Sequence, residues 1–323
     1  MPRVFIEGFE AGQLDLWDSQ NGIGSLGFVA APAGMSGSYA LSLTQLSITK
    51  NLPAADYYYA AVKIKPIGST SDSALISFLN NATVLGSLYL IAGTYVLSAY
   101  RGDKSALLAS YVNPLVAGVV YLIEVYYKPH ASAGFFQVKV NGAMAINNNG
   151  NTTAASLQIN AMQMGAGYPG IVYDDIVIDN ADWIGNTFIQ GVFPSNVGNS
   201  SQFTPSVGSN YSCVDEVPAS DMDYVATNAV DQLDTYTHTA LAGAAHVLCV
   251  QVQARAVQEG APTPLNLKAA LRSVGVDYLG TNSLVPTTNY KALSYVWQTN
   301  PLDGSPWTPA IVNATEIGMK SAT

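Results

Sequence analysis

The chain has 323 residues, enough for two domains with cores of their own, and a formal net charge of −9. Residues 1–187 carry 8 Lys+Arg against 12 Asp+Glu and residues 188–323 carry 5 against 10, so neither part has the basic footprint of a nucleic-acid or anionic-lipid binder. No run approaches the roughly 18 uninterrupted apolar residues of a membrane-spanning helix, and with only 11% charged residues the surface falls to Ser, Thr, Asn, Gln and Tyr.

The opening alternates from Val4 onward and lacks a basic segment followed by an apolar run, so no secretion signal is expected and synthesis in a cytoplasm is. The stretch GMSGS at 34–38 looks like a fragment of a phosphate loop without the rest of one. Tyr57-Tyr58-Tyr59 is the tightest aromatic cluster, and on a strand it must turn at least one ring outward. In AAVKIKP, Val62 and Ile64 face one way and Lys63 and Lys65 the other, the pattern of a half-buried strand. FFQVKVNGAMAI repeats it with Phe136, Val138 and Val140 inward, then turns on Asn141-Gly142, a hairpin signal because both residues tolerate positive φ. AASLQINAMQM, at 154–164, offers one short helical turn in a chain otherwise poor in helical spacing.

Gly, Ser, Asn and Pro crowd together over 184–212, which places a domain boundary near 187. Beyond it LCVQVQARAV sets Gln251, Gln253 and Arg255 against Val250, Val252 and Ala254, and LNLKAALRSV sets Lys268 and Arg272 against Leu267 and Leu271. The final WTPAIVNATEIGMKSAT reads as a closing strand element. The expected fold is all-β: two antiparallel β-sandwich domains, 1–187 and 188–323.

EGFEAGQLDLWD at the start, YLIEVYYKPHASAGFFQVKVNG in the middle and MQMGAGYPGIVYDDIVIDNADW at the end of the first part resemble the concanavalin-type jelly roll of laminin-G-like modules, over roughly residues 3–183. That superfamily holds lectins, hydrolases, adhesins and structural modules. The second part, with NYSCVDEVPASDMDYV, DQLDTYTH, HVLCVQVQARA and NPLDGSPWTPAIVNATEIGMK, resembles the C-terminal region of virion proteins of tailed bacteriophages over about residues 208–320. The resemblance implies that the chain closes on a hairpin of a virion sandwich.

Hydrolases of the concanavalin-like class carry a Glu-x-Asp-type strand motif, whose spacing puts two carboxylates on one sheet face. None of Glu7, Glu10, Glu124, Glu216, Glu259 and Glu316 has an acid two residues on, so no catalytic residue is assigned. Asp174 and Asp175, with Asp179 nearby, form the densest acidic spot of the first part. On a regular strand the two adjacent acids face opposite ways, which leaves two readings: one exposed and one bonded to backbone near Gly8-Phe9, or a calcium site. Asp215, Glu216, Asp221 and Asp223 lack calcium-loop spacing and read as a solvated loop. His130, His238 and His246 are scattered, Cys213 and Cys249 read as two thiols, and Trp17, Trp183 and Trp307 as closures of sandwich ends. No metal or cofactor site is assigned.

The expected function is a non-enzymatic structural component of the exterior of a tailed phage particle (tail, fibre or head decoration), made in the host cytoplasm. Its expected partners are copies of itself and other virion proteins. The alternative is a glycan-binding adhesin or receptor-binding protein that takes host surface glycan. Nucleic acid and membrane are not expected partners.

Overall fold

The computed structural model describes residues 3–68, 70–153, 156–168, 170–243, 246–260 and 264–323. Two compact units emerge: Met1–Glu10 with Trp17–Ile189, and Ala11–Leu16 with Gln190–Thr323. Both are antiparallel β-sandwiches, and the first is a jelly roll.

In chain order the first unit holds β1 (Arg3–Glu7), β2 (Ser19–Ala30), β3 (Tyr39–Ala55), β4 (Tyr58–Pro66), β5 (Ser73–Asn80), β6 (Thr83–Leu90), β7 (Leu97–Arg101) and β8 (Ala106–Ser110). It continues with β9 (Tyr121–Lys128), β10 (Gly134–Val140), β11 (Ala143–Gly150), β12 (Ile159–Ala166) and β13 (Ile171–Asp179). Hydrogen bonding runs β11-β10-β9-β4-β13-β3-β12-β5-β6-β7-β8, with β1 on β13 and β2 on β3. The path folds over at β3, which pairs with β13 through Leu41–Leu43 and with β12 from Leu46 onward. Between these stretches Gln45 has φ +51, and this left-handed residue bends the strand from one sheet into the other.

The two sheets then meet face to face. Phe78 of β5 stacks on Tyr127 of β9 with ring centroids 5.1 Å apart, and Tyr127 also meets Phe136 of β10 at 5.0 Å. Gly86 of β6 leaves the room this stack needs: a Cβ there would lie 2.5 Å from Tyr127 Cζ. The alternation read from the sequence holds at the core, since Val62, Ile64, Phe136, Val138 and Val140 are all buried. Asn141 (φ +50) and Gly142 (φ +82) close the β10–β11 hairpin as a two-residue turn. The stretch 159–164, expected to give a helical turn, is instead part of β12: Met162 and Met164 point into the core while Gln163 bonds to Thr49 of β3. Pairing on both edges of this strand overrides its weak helical spacing.

The second unit contains β14 (Pro194–Ser201), β15 (Thr204–Pro205), β16 (Val225–Ala226), β17 (Leu233–His238), β18 (Val250–Ala256) and β19 (Asn266–Ser273). After these come β20 (Val276–Leu279), β21 (Ser283–Leu284), β22 (Lys291–Trp297), α1 (Pro309–Asn313) and β23 (Glu316–Ala322). A sheet ordered β14-β17-β23-β19-β20, with β21 on β19, faces the β18–β22 ribbon across a core that includes Val252, Leu271, Leu293, Trp297, Trp307 and Met319.

The closing segment departs from its reading as a strand pair. WTPAIVN forms α1, with Thr308 Oγ1 accepting from Ile311 N–H as N-cap and Pro309 at the first helical position. β23 then pairs with β17 and β19, not with β22. Asp234, 1% exposed, fixes the neighbouring loop by accepting from the Gln202 and Phe203 amides, Asn210 Nδ2 and the Tyr236 hydroxyl.

Three substitutions test this packing by thermal melting. Gly86→Ala should destabilise by about 1–3 kcal/mol, because the added methyl overpacks the Tyr127 ring. Gly27→Ala, whose Cβ would meet nothing within 4 Å, should be close to neutral. Gly142→Val has open space around it, yet should lose about 1 kcal/mol or more, since a β-branched residue tolerates positive φ poorly.

Candidate functional site

Alternation on β4 sends Tyr58 fully into the core and leaves Tyr59 on the outer face of its sheet, with Tyr57 just ahead of the strand. Strand pairing decides what joins Tyr59 there. Tyr126 of β9 lies directly opposite Tyr59, Gln137 of β10 opposite Tyr126, and Asn147 of β11 opposite Gln137. Residues paired in this way share a face, so one row carries two tyrosines and two amides. Phe135, two positions before Gln137, stands on the same side.

The rings are in mutual contact. Tyr59 stacks on Tyr126 at 4.4 Å with a 14° interplanar angle, and Tyr126 on Phe135 at 5.7 Å and 28°. Tyr57 meets Tyr59 and Tyr126 edge-on at 6.1 and 5.8 Å. After β13 the chain folds back over this face: Ile184 buries itself against Ala61, Leu122 and Val177, and Gly185 N–H donates to Glu124 Oε1 at 2.8 Å. That anchor brings Trp183 within 5.4 Å of Tyr59 and 6.4 Å of Tyr126. Trp183 therefore belongs to an outward aromatic face rather than to a sandwich end. Trp17, by contrast, is buried against Phe5, and Trp307 in the second unit's core, where its Nε1 donates to Trp297 O at 3.0 Å.

Tyr57, Tyr59, Tyr126, Phe135 and Trp183 are all half-buried. Since neighbouring rings occupy much of each other's faces, a ligand meets ring edges, phenol hydroxyls and amides. Burial pushes the Tyr59 phenol up to about 12, and burial followed by the Tyr57 phenol raises Tyr126, so both stay protonated donors near neutral pH. Gln137 Nε2 donates to Asn147 Oδ1 at 2.8 Å, which holds the amide pair in place. Lys139 Nζ sits 3.9 Å from the Trp183 ring centre and Lys128 Nζ 6.0 Å from that of Phe135.

The acidic spot is elsewhere and differs from either reading of the sequence. Asp175 has φ +51, and β13 takes three residues from Asp174 to Val177 against two on β4, a bulge that alternation could not show. Asp174 and Asp175 are 0% and 2% exposed, so neither faces solvent. Asp175 Oδ2 pairs with Lys63 Nζ at 2.9 Å, while Oδ1 accepts from the Ser36 hydroxyl and from Ile189 N–H at 2.6 Å. Glu10 accepts from Ser38 N–H at 2.9 Å, and Glu7 from Phe9 N–H at 2.8 Å.

Ser36 and Ser38 of GMSGS thus serve carboxylates. The donors around Asp175 already include an ammonium, and among the described residues no three His, Cys, Asp or Glu groups come together to hold a metal ion. Burial, reinforced by Asp175, lifts the Asp174 carboxyl to about 8, and burial lifts Glu7 to about 8.

The other titratable groups singled out in the sequence are spread over separate hydrogen bonds and ion pairs among the described residues. His130 Nδ1 accepts from the Ser132 and Ala133 amides, His238 lies within reach of the Thr239 and Val312 carbonyls, and His246 is exposed. Asp215 and Asp221 are exposed on their loop, and Asp221 pairs with Arg255, which also meets Asp15 and lies over the Tyr290 ring. Desolvation and the adjoining Asp223 carboxylate raise Glu216. Cys213 and Cys249 are not joined in a disulfide.

No family model matches the chain, and no curated protein matches it either. Among solved structures it is similar to the cellulose-induced protein Cip1 at 15% identity, covering 57% of this chain and all of that one with a TM-score of 0.44. It is similar to an endo-β-1,4-glucuronan lyase from the fungus Trichoderma reesei at 12% identity, over 56% and 96% of the two chains with a TM-score of 0.43. A third is the Caenorhabditis elegans galectin LEC-6, at 10% identity over 41% and 89% with a TM-score of 0.31.

The buried acids make a pH prediction. Glu7 and Asp174 hold their protons more tightly folded than unfolded, so their contribution to stability is complete below the ordinary carboxylate range and is lost as pH rises through about 8. Melting of the wild-type chain at about pH 5 and about pH 9 should show a drop, and Glu7→Gln, which keeps an acceptor for Phe9 N–H and cannot ionise, should shrink it. An equal drop in both proteins would contradict the assignment for Glu7.

Proposed function

We propose that this chain is a non-catalytic saccharide-binding protein, a receptor-binding or adhesive component, acting through the outer aromatic face of its first unit. The observation that carries this reading is the row Tyr59–Tyr126–Gln137–Asn147 flanked by Phe135 and Trp183. It places phenol hydroxyls and an oriented amide pair where a sugar's hydroxyl groups can be met, with ring edges as apolar surface between them. A binding role rather than catalysis is supported by Glu7 and Asp174, the two carboxyls lifted to about 8: both are buried, out of a substrate's reach. A setting on the exterior of a tailed phage rests on the sequence resemblance over about residues 208–320.

Self-association through the same face is the competing use. It is disfavoured by Lys128 and Lys139, because lysine is depleted in interface cores and a two-fold contact sets like charges against each other.

Affinity electrophoresis of the full chain against a panel of polysaccharides tests the reading. Tyr126→Ala should weaken binding roughly thirtyfold, the ~2 kcal/mol of a binding hot spot, and Tyr126→Phe should keep most of it. Retained binding in both Tyr126→Ala and Tyr59→Ala, or release of cleaved sugar from any polymer, would overturn the proposal.

A further inference from the structure

The charge around the same face narrows the ligand class. Residues 1–187 contain eight cations: Arg3, Lys50, Lys63, Lys65, Arg101, Lys104, Lys128 and Lys139. Arg3 pairs with Asp179 at 3.6 Å, Lys50 with Asp18 at 3.3 Å, Lys63 with Asp175 at 2.9 Å and Lys104 with Asp72. Arg101 Nη2 donates to the Asn151 carbonyl at 3.4 Å. Five of the eight are thereby engaged, and the other three, Lys65, Lys128 and Lys139, have no carboxylate within ion-pair distance among the described residues.

All three lie on the outer face of the sheet that carries the aromatic row, since Lys65 shares the alternation of Tyr59, Lys128 that of Tyr126 and Lys139 that of Gln137. Lys65 is roughly 20 Å along β4 from Tyr59, but Lys128 and Lys139 flank the Tyr126–Gln137 row, each about 7 Å away along its strand. No acid of this face lies within ion-pair distance of Lys128 or Lys139 among the described residues. Glu124, opposite Lys139, is 2% exposed and bonded to Gly185 N–H, Asp179 is committed to Arg3, and Asp182 is exposed beside Trp183 with Oδ1 accepting from Trp183 N–H.

We infer that the aromatic face takes an anionic saccharide, one whose carboxylate or sulfate groups meet Lys128 and Lys139 while its ring lies over the Tyr59–Tyr126–Phe135 stack. The inference rests on the saccharide-binding reading and adds the charge of the ligand to it. Lys128 and Lys139 stand on either side of the row, and each is already packed against a ring that orients it. The phenols and the Gln137 amide supply neutral donors between the two cations. A polyanion is repelled at long range by a protein of this overall sign, so binding depends on the contacts to Lys128 and Lys139, which added salt weakens.

The test is isothermal titration of the full chain with polygalacturonate, dextran sulfate and neutral dextran, at about 25 mM and about 250 mM NaCl, spanning screening lengths of roughly 20 to 6 Å. An acidic polymer should bind at least about tenfold tighter than dextran at low salt, the preference should shrink at high salt, and in Lys128→Gln/Lys139→Gln the ratio of acidic-polymer to dextran affinity should fall to about one. Which acidic polymer binds distinguishes carboxylate from sulfate recognition. Dextran binding as tight as either acid, or an acidic preference that survives the double substitution, would overturn the inference and leave the saccharide reading standing. Failure of the wild-type chain to bind any of the three would take down both.

Discussion

The ion pair between Lys63 and Asp175 is the constraint on which the first unit turns. Both partners lie within the sandwich wall, and removing either would strand a charge there at a cost of roughly 3–5 kcal/mol. Asp175 can reach Lys63 only because it adopts a left-handed backbone, and that conformation inserts the extra residue in β13. The bulge sets the register in which the rest of β4 meets β13, with Tyr59 opposite Asp179. Ser36 and the Ile189 amide close on the same carboxylate, so segments more than a hundred residues apart in the chain share one anchor.

A similar device organises the second unit with no lysine in it. Asp234 gathers two backbone amides, an amide side chain and a phenol, and each donor meets part of the carboxylate's demand for hydrogen bonds. In both units a buried acid does what a larger apolar core does elsewhere. It specifies which loops approach which strands in a chain whose surface offers few charges to do so.

Much of this was legible in the sequence, and the exceptions have physical causes. Period-2 patterns at Val62–Ile64 and Phe136–Val140 marked strands and their inward faces, and Asn141-Gly142 marked its hairpin, because each signal is local. The bulge at Asp175 was not legible, since its stabilising partners Ser36, Lys63 and Ile189 are remote in sequence. At least one ring of Tyr57-Tyr58-Tyr59 was readable as outward without showing which, and Tyr126, Phe135 and Trp183 join Tyr59 only through strand register and through the fold-back that buries Ile184. The helix at Pro309–Asn313 is too short to show a period. Its start signals, Thr308 followed by Pro309, were nonetheless present.

The bend at Gln45 has a mechanical consequence. Because β3 belongs to both sheets of the first unit, the sandwich cannot be parted like two stacked plates: drawing the sheets apart must strip one continuous strand from β13 on one side and from β12 on the other. Load applied to either sheet is thus carried across the core by covalent backbone, and the two layers share a single opening event. Amide protons in both sheets would exchange with solvent on one common timescale, the behaviour of a body that stays closed until it opens as a whole.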